Sequence, residues 1–204
     1  MEEELNHLSD PETPVGEPKT APDRPGNGIF EWLQILIGCL LAAVLIFNCV
    51  ARLSQVVGHS MDKTLSHGEL TLVWSLGYQP KQGDIVVLNK TNAEFLGGEN
   101  GEAIVKRVIA TGGQTVDIDY TTDTNAVDGV PLNEPYIWED MRPPYDPYMQ
   151  KTHFEIPEGH IFVMGDNRNN STDSRHEWLG PIDARYVLGK VCFGLWPLDS
   201  FGPI

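Results

Sequence analysis

The hydrophobic pattern of the chain begins with one uninterrupted apolar stretch near its start. Residues 29–50 read IFEWLQILIGCLLAAVLIFNCV, in which only Glu31, Gln34 and Asn48 are strongly polar. At 1.5 Å per residue, a helix of this length spans about 33 Å, which matches a bilayer hydrocarbon core of about 30 Å. We therefore predict a transmembrane helix over residues 29–51.

The segment before this stretch has a different composition. Residues 1–28 carry seven acidic and two basic side chains, five prolines and few large aliphatic residues. Such a segment buries too little apolar surface to offset its ordering entropy, so we predict that it is disordered. Two alternatives to a membrane helix stay open: a buried core helix, and a cleavable signal peptide, for which the tail is unusually long and acidic.

The rest of the chain, residues 52–204, has the pattern of a β-rich domain. Short β-branched runs alternate with clusters of Gly, Pro, Asn and Asp, and no helical period is sustained after residue 60. The predicted fold class is mainly β, a sandwich or partly closed barrel behind one N-terminal helix. The predicted strands are Leu70–Trp74, Asp84–Leu88, Ala103–Ala110, Thr115–Ile118, His160–Met164 and Val187–Phe193.

Composition and charge exclude several classes of function. With 204 residues, the chain has room for one ordinary domain and its accessories. A net charge of −15 disfavours an unspecific nucleic-acid binder, so no nucleic acid is predicted as a partner. Three cysteines without a C-x-x-C pair argue against a disulfide framework or a zinc ribbon. Neither a metal site nor a cofactor is predicted.

The first candidate for chemistry is Ser60, in the run Gly58-His59-Ser60-Met61. A serine hydroxyl is a poor nucleophile unless a base removes its proton. Histidine is the usual base, and a Ser-His-Asp triad stays open because triad members need no proximity in sequence. Nothing in the local sequence selects one of the six histidines, which are His7, His59, His67, His153, His160 and His176.

Lysine is the second possible base. Lys106 lies in the strand-like run Ala103–Ala110, where alternation places Ile104 and Val108 on its own face. Desolvation there would lower the pKa of the amine and make it a competent base. Periodicity alone favours the simpler alternative, a lysine at a sheet edge that extends its amine into water.

A third cluster, residues 165–175, reads GDNRNNSTDSR directly after a predicted strand. A polar surface loop with weak ion pairs is the default interpretation of such a composition. The functional interpretation is a network in which acids and arginines pair and brace a site.

Taken in order, these clusters resemble type I signal peptidase over the apolar stretch and nearly all of residues 52–204. Each segment alone has low specificity, and the ordered combination behind one membrane helix is highly specific. The matching segments are Gly58–Leu65, Gly83–Val87, Val105–Ile109, Asp128-Gly129, Leu132–Ile137, Gly159–Arg168 and Ser171–Arg175.

The resemblance implies a Ser/Lys dyad, in which Ser60 attacks the scissile carbonyl and neutral Lys106 takes the serine proton. It further implies that Ser171 orients the lysine amine, that Asp173 and Arg175 form a structural ion pair, and that Asp166 braces the site. It implies small side chains, typically alanine, one and three residues before the cut. Candidate lining residues for the shallow pockets are Val56, Met61, Leu65, Ile104 and Val105.

The resemblance also implies a location and partners. The helix would anchor the protein in the cell membrane with the N-terminus cytoplasmic and the catalytic domain outside. The partners would be the lipid bilayer and preproteins that carry signal peptides. Charge does not decide the orientation, because two basic residues precede the apolar stretch and two closely follow it.

Departures from the family pattern and three alternatives bear on this prediction. After Arg107, residues 108–114 lack the proline and the acid that the family usually has there. Lys63 stands where the family usually has proline, and Gly58 stands where some members have a serine that helps hold the oxyanion. Lys63 also creates an S-x-x-K motif of the kind found in penicillin-binding enzymes, although S-D-N and K-T-G are missing. A self-cleaving Ser/Lys regulator and a non-catalytic assembly factor with the same fold are the other two alternatives.

Overall fold

The computed structural model describes residues 27–89 and 103–204. Its single α-helix in that part of the chain is α1, Asn27–Cys49. By length and composition this helix can cross a membrane, and none of its apolar stretch Gly28–Phe47 is buried. A core helix would be mostly buried, so this finding argues against that alternative. The predicted disorder of the tail concerns residues that, up to residue 26, lie outside the described part.

The described chain after α1 consists of strands joined by turns and 3-10 helices. The 3-10 helices are Pro147–Met149, Arg168–Asn170, Ala184–Tyr186 and Leu198–Ser200. The strands are β1 Ala51–Gln55, β2 Leu70–Trp74, β3 Ile85–Leu88, β4 Ile104–Thr111, β5 Thr115–Asp119, β6 Thr124–Val127, β7 Val130–Pro131, β8 His153–Glu155, β9 His160–Met164, β10 Ile182–Asp183, β11 Val187–Trp196 and β12 Gly202–Pro203.

These strands form two antiparallel sheets. The larger sheet has the order β1-β2-β11-β3-β4-β9-β10, with β12 paired to β11. The smaller sheet has the order β7-β6-β5-β8. The predicted mainly β class is therefore confirmed. Strand β4 lies between β3 and β9, so Lys106 pairs with Val86 on one side, and its neighbour Arg107 pairs with Met164 on the other.

The strands around β4 are covered by apolar side chains on both faces. Every residue of β3 is buried, as are Val105 and Val108 of β4. Val105 belongs to an apolar cluster with residues of the turn that follows β1, and Val108 belongs to a second cluster with residues of β9. A side chain in the middle of β4 therefore points into the protein interior.

All six predicted strands are present, with ends that differ by at most three residues. The pattern missed the two-residue strands β7, β10 and β12 and the short strands β1, β6 and β8, whose sequences ARLSQ, TNAV and HFE lack a run of apolar residues. Their pairing is tertiary, because β1 aligns along β2 whereas β6 and β8 both align along β5. Local composition therefore carried little information about them.

We expect Phe162→Ala to destabilise the domain by about 3–5 kcal/mol, because it leaves a cavity in a close-packed core. Phe162 is fully buried, and its ring centroid lies 4.7 Å from that of Phe154. Urea unfolding in detergent would measure the loss. The control is Phe201→Ala, at a ring that is 60% exposed, for which we expect a loss of about 1 kcal/mol or less. Equal losses in the two variants would contradict this description of the core.

Candidate active site

Ser60 lies in a turn that two buried apolar residues hold against the domain core. Met61 and Leu65 are almost completely buried in the same apolar cluster. The turn is closed by backbone hydrogen bonds from the Thr64 and Leu65 N–H groups to the Met61 carbonyl, at 3.1 and 2.8 Å. Ser60 itself is half-buried. Its hydroxyl therefore projects from a well-anchored turn.

The Lys106 amine meets this hydroxyl. Lys106 Nζ lies 2.6 Å from Ser60 Oγ and donates a second hydrogen bond to the Val105 carbonyl at 3.1 Å. The Lys106 residue is only 4% exposed. The alternative that periodicity favoured, a lysine with its amine in water, is therefore wrong. The amine is buried because its side chain projects from the sheet face that the Ser60 turn covers.

Burial is the largest influence on the Lys106 amine, and it lowers the pKa from 10.5 to about 8. The negative charges of Asp173 and Asp166 act in the opposite direction, while the positive charge of Arg175 lowers the pKa further. A substantial fraction of the amine is thus neutral just above pH 7. A neutral amine within hydrogen-bonding distance of a hydroxyl can remove its proton.

The polar loop over residues 165–175 is largely buried and internally paired, with Asn169, Asn170 and Thr172 exposed. Asp173 and Arg175 are buried and paired through two hydrogen bonds, Arg175 Nε to Asp173 Oδ1 at 2.8 Å and Nη2 to Oδ2 at 2.9 Å. The Gly165 N–H also donates to Asp173, at 3.0 Å. Burial alone would raise the pKa of Asp173, but Arg175 and these hydrogen bonds outweigh it and hold the pKa below its usual value.

Asp166 links the turn that carries Ser60 to the strand that carries Lys106. Its fully buried carboxylate accepts hydrogen bonds from Arg107 Nε and Nη2 at 2.8 and 2.7 Å and from Thr64 Oγ1 at 2.5 Å. Arg107 stacks on the Tyr136 ring, with its guanidinium carbon 3.8 Å from the ring centroid. Sequence reasoning missed Arg107 and Thr64. The one available signal was that Arg107 directly follows Lys106 and thus points to the other face of β4.

The contact predicted for Ser171 is not present in this structure. Ser171 Oγ is buried and makes no hydrogen bond to Lys106 within the described residues. The Val105 carbonyl receives the second hydrogen bond of the amine instead. Ser171 nevertheless lies at the site, because it packs against Gly165 beside the Ser60 carbonyl. Its role in orienting the amine stays a prediction.

Comparison with known proteins identifies the family. A family model described as "Signal peptidase, peptidase S26" matches residues 29–196. The chain belongs to the signal peptidase family. The matched range includes the apolar helix, the Ser60 turn, Lys106 and the loop over residues 165–175.

Individual relatives in the signal peptidase family resemble nearly the whole chain. The probable signal peptidase I-1 of Synechocystis is 34% identical, over 88% of this chain and 89% of its own. The signal peptidase I of Bacillus licheniformis is 35% identical, over 85% and 92%, and that of Leptolyngbya laminosa is 30% identical, over 95% and 93%. A crystal structure of a signal peptidase I from Enterococcus faecalis is 28% identical, covers 56% of this chain and 97% of its own, and has a TM-score of 0.42.

The alternatives that used another base lack support in the geometry. No histidine in the described part of the chain hydrogen-bonds to Ser60: His59 pairs with Asp62, and His67 Nδ1 accepts from the Gly58 N–H. The S-x-x-K alternative also fails, because Lys63 Nζ donates to the carbonyls of Pro135 and Ile137. Within residues 27–89 and 103–204, no cluster of three or more His, Cys, Asp or Glu residues is arranged to hold a metal ion.

Four of the five candidate pocket residues lie together. Val56, Met61, Leu65 and Val105 are buried in one apolar cluster around the Ser60 turn. Ile104 is half-buried and packs against the other apolar cluster beside β4, with Val86 and Val108. The structure thus assembles an apolar surface next to the hydroxyl and separates Ile104 from it.

Gly165 is a site residue that sequence reasoning missed. A Cβ atom at this position would overlap both Ser171 Oγ and the Ser60 carbonyl oxygen. Only glycine lets the chain at residue 165 pass so close to the Ser60 turn. A signal was present in the sequence, because this glycine follows a strand but does not belong to any Gly/Pro turn cluster.

We expect Gly165→Ala to lower peptidase activity about 10²-fold, because the added methyl group pushes Ser60 out of position. The overlap should also destabilise the protein by about 1–3 kcal/mol. Peptide-cleavage rates and thermal unfolding would measure the two effects. The matched control is Gly202→Ala, since a Cβ atom there meets nothing within 4 Å. Full activity in Gly165→Ala would contradict the close approach.

Proposed function

We propose that the protein is a membrane-anchored signal peptidase I that removes N-terminal signal peptides from exported preproteins. Ser60 is the nucleophile and Lys106 is the general base. The observation that carries the proposal is the 2.6 Å separation between Ser60 Oγ and the amine of a buried lysine whose pKa is lowered to about 8. The names of its relatives support the substrate class.

The first half of the reaction forms an acyl-enzyme. As Ser60 Oγ attacks the carbonyl carbon of the scissile bond, the neutral Lys106 amine takes the hydroxyl proton. The carbonyl oxygen becomes an oxyanion that accepts a hydrogen bond from the Ser60 N–H, which donates to no other group in the described part of the chain. When the intermediate collapses, the C–N bond breaks, and the Lys106 ammonium protonates the leaving amine of the mature protein.

The second half of the reaction releases the signal peptide. Lys106, neutral again, takes a proton from a water molecule as the water oxygen attacks the ester carbonyl. The tetrahedral intermediate then breaks its bond to Ser60 Oγ, and the ammonium returns the proton to the serine. The low polarity around Lys106 favours the neutral amine at the start of both halves.

Asp166, Asp173, Arg175 and Ser171 support this dyad. The Asp173–Arg175 pair keeps the loop beside the amine rigid, while its opposite charges act in opposite directions on the pKa of Lys106. Asp166 ties the nucleophile turn to β4 through Thr64 and Arg107. Ser171 makes no hydrogen bond to Lys106 in the described structure, so its hydroxyl would have to turn toward the amine to orient it during the reaction.

The substrate lies beside the turn as an extended peptide. Val56, Met61, Leu65 and Val105 border shallow apolar pockets for the residues before the cut, whereas Ile104 packs against the other apolar cluster and lies outside them. Because Met61 and Leu65 are almost fully buried, little of their surface is open to a ligand. Pockets of this depth accept small side chains such as alanine and exclude large ones.

The helix α1 anchors the enzyme in the cell membrane, with the N-terminus in the cytoplasm and the β-rich domain outside it. The length, apolar composition and exposure of Gly28–Phe47 support the anchor, and the orientation follows from the family resemblance. An anchored enzyme suits a substrate whose own apolar segment is still in the bilayer. The lipid bilayer is thus a partner of both enzyme and substrate.

We expect detergent-solubilised protein to cut a preprotein at an Ala-x-Ala site, and Ser60→Ala and Lys106→Ala to cut it at least about 10³-fold more slowly. Lys106→Met, which keeps the length of the side chain, should be equally slow. Gel analysis and mass spectrometry would give the rate and the cut site. If the wild-type protein is inert in both detergent and lipid, the non-catalytic assembly factor becomes the better assignment.

We expect kcat/KM for this cleavage to rise from pH 6 to pH 9, with its midpoint near pH 8. The folded-state pKa of Lys106 is lowered to about 8, so the amine is mainly charged below this pH and mainly neutral above it. Only the neutral form can take the serine proton. A rate that stays constant from pH 5 to pH 9 would contradict the assignment of lysine as the base.

A further inference from the structure

We propose that Lys63 is a positioning residue, whose side chain holds the nucleophile turn so that Ser60 Oγ stays within hydrogen-bonding distance of Lys106. The inference rests on the proposed function, since it takes Ser60 as the nucleophile. Lys63 is the position at which the sequence departs from the proline that is usual in the family. The positioning role of Lys63 therefore cannot be carried over from the family pattern, and it rests on the contacts of Lys63 in this structure.

The backbone at Lys63 cannot be that of a proline. Its φ angle is +79°, in the left-handed region that residues with a Cβ atom rarely adopt. Proline is fixed near −65°, so it cannot occupy this position without a different turn. The stiffness that proline would give to the chain after Ser60 must therefore come from another source.

The Lys63 side chain supplies a tether across the sequence. Its Nζ donates to the Pro135 carbonyl at 2.8 Å and to the Ile137 carbonyl at 3.0 Å. An ammonium has three donors, so one remains for water at this exposed side chain. Two hydrogen bonds to carbonyls two residues apart fix the direction of the amine as well as its distance.

The other hydrogen bonds of the turn lead to a different segment of the chain from the one that Lys63 reaches. Asn167 holds the near end, because its N–H donates to the Ser60 carbonyl and its side-chain amide donates to the His59 carbonyl, both at 3.0 Å. Thr64 is bound to Asp166. Those contacts all lead to the segment that follows β9. Lys63 alone among the described residues of this turn reaches the segment around residue 136, so it fixes the turn from a second direction.

Loss of this tether should change the position of Ser60 more than it lowers the stability of the folded protein. Met61 and Leu65 remain buried in the apolar core without the Lys63 amine, so the turn keeps its anchor. What is lost is the restraint on rotation of the turn about that anchor. A small rotation moves Ser60 Oγ away from Lys106, and misplacement of a reacting group by about 1 Å can reduce a rate by about 10²-fold.

The test compares Lys63→Met, which keeps length and removes the donors, with Lys63→Arg, which keeps a cationic donor pair. The control is Lys151→Met, at an exposed lysine outside the site. We expect Lys63→Met to lower kcat about tenfold while KM and the thermal midpoint stay unchanged. We expect Lys63→Arg to recover kcat to within about threefold of the wild type, and Lys151→Met to match the wild type.

Two results would overturn the proposal. Wild-type kcat in Lys63→Met would show that the tether does not act on Ser60. A joint fall of kcat and thermal midpoint that arginine does not restore would show a general structural role. Recovery by arginine with an unchanged midpoint is the result that supports positioning.

A measurement without substrate separates this proposal from the proposed function. Amide hydrogen exchange at Thr64 and Leu65 reports the two hydrogen bonds that close the turn. We expect exchange there to be about tenfold faster in Lys63→Met and normal in Lys63→Arg. If the wild type cuts no preprotein, the proposed function fails, and these exchange rates still decide the tether: unchanged exchange in Lys63→Met would overturn it.

Discussion

The burial of one amine is the constraint on which the rest of the site depends. An ammonium in an apolar interior is unfavourable, so Lys106 is most stable there in the form that can act as a base. The amine stays buried only if its surroundings are rigid, because a mobile Lys106 side chain could reach solvent and become charged. The inner position of β4, with apolar clusters on both faces, meets that demand.

The polar loop after β9 provides the electrostatic balance around this amine. Asp173 alone would favour the charged form of Lys106, and Arg175 alone would oppose it, so the pair leaves burial as the dominant influence. Buried ion pairs of this kind contribute little net stability, because desolvation offsets their attraction. Their value here is geometric: the two hydrogen bonds between them, with a third from the Gly165 N–H, fix the two ends of the loop to each other. Asn167 of the same loop then binds the carbonyls of His59 and Ser60.

The turn that carries Ser60 is held from three directions. Met61 and Leu65 anchor it in the apolar core, Asn167 binds its near end, and Lys63 reaches the segment around residue 136. A turn fixed in this way can present a hydroxyl to an amine without a helix or a long strand beneath it. A flexible side chain with two hydrogen bonds thereby replaces the backbone stiffness of a proline, which the left-handed conformation excludes.

The sequence by itself determined the class of the fold and the two residues that meet. Apolar periodicity identified α1 and the longer strands, because those signals are local, and the ordered motifs pointed to Ser60 and Lys106. It could not determine the burial of Lys106, which periodicity alone assigned to water. Burial depends on which strands flank β4, and those strands come from distant parts of the chain.

Tertiary structure alone decided the contacts that tune the site. The tether from Lys63 joins residues more than 70 positions apart, and the hydrogen bond from Thr64 to Asp166 spans 102. The requirement for glycine at residue 165 arises from the approach of the Ser60 turn. No local sequence pattern predicts these long-range contacts, because each depends on the packing of the whole domain. The sequence determines which chemical groups are present, whereas the fold determines the distances between them and the pKa of Lys106.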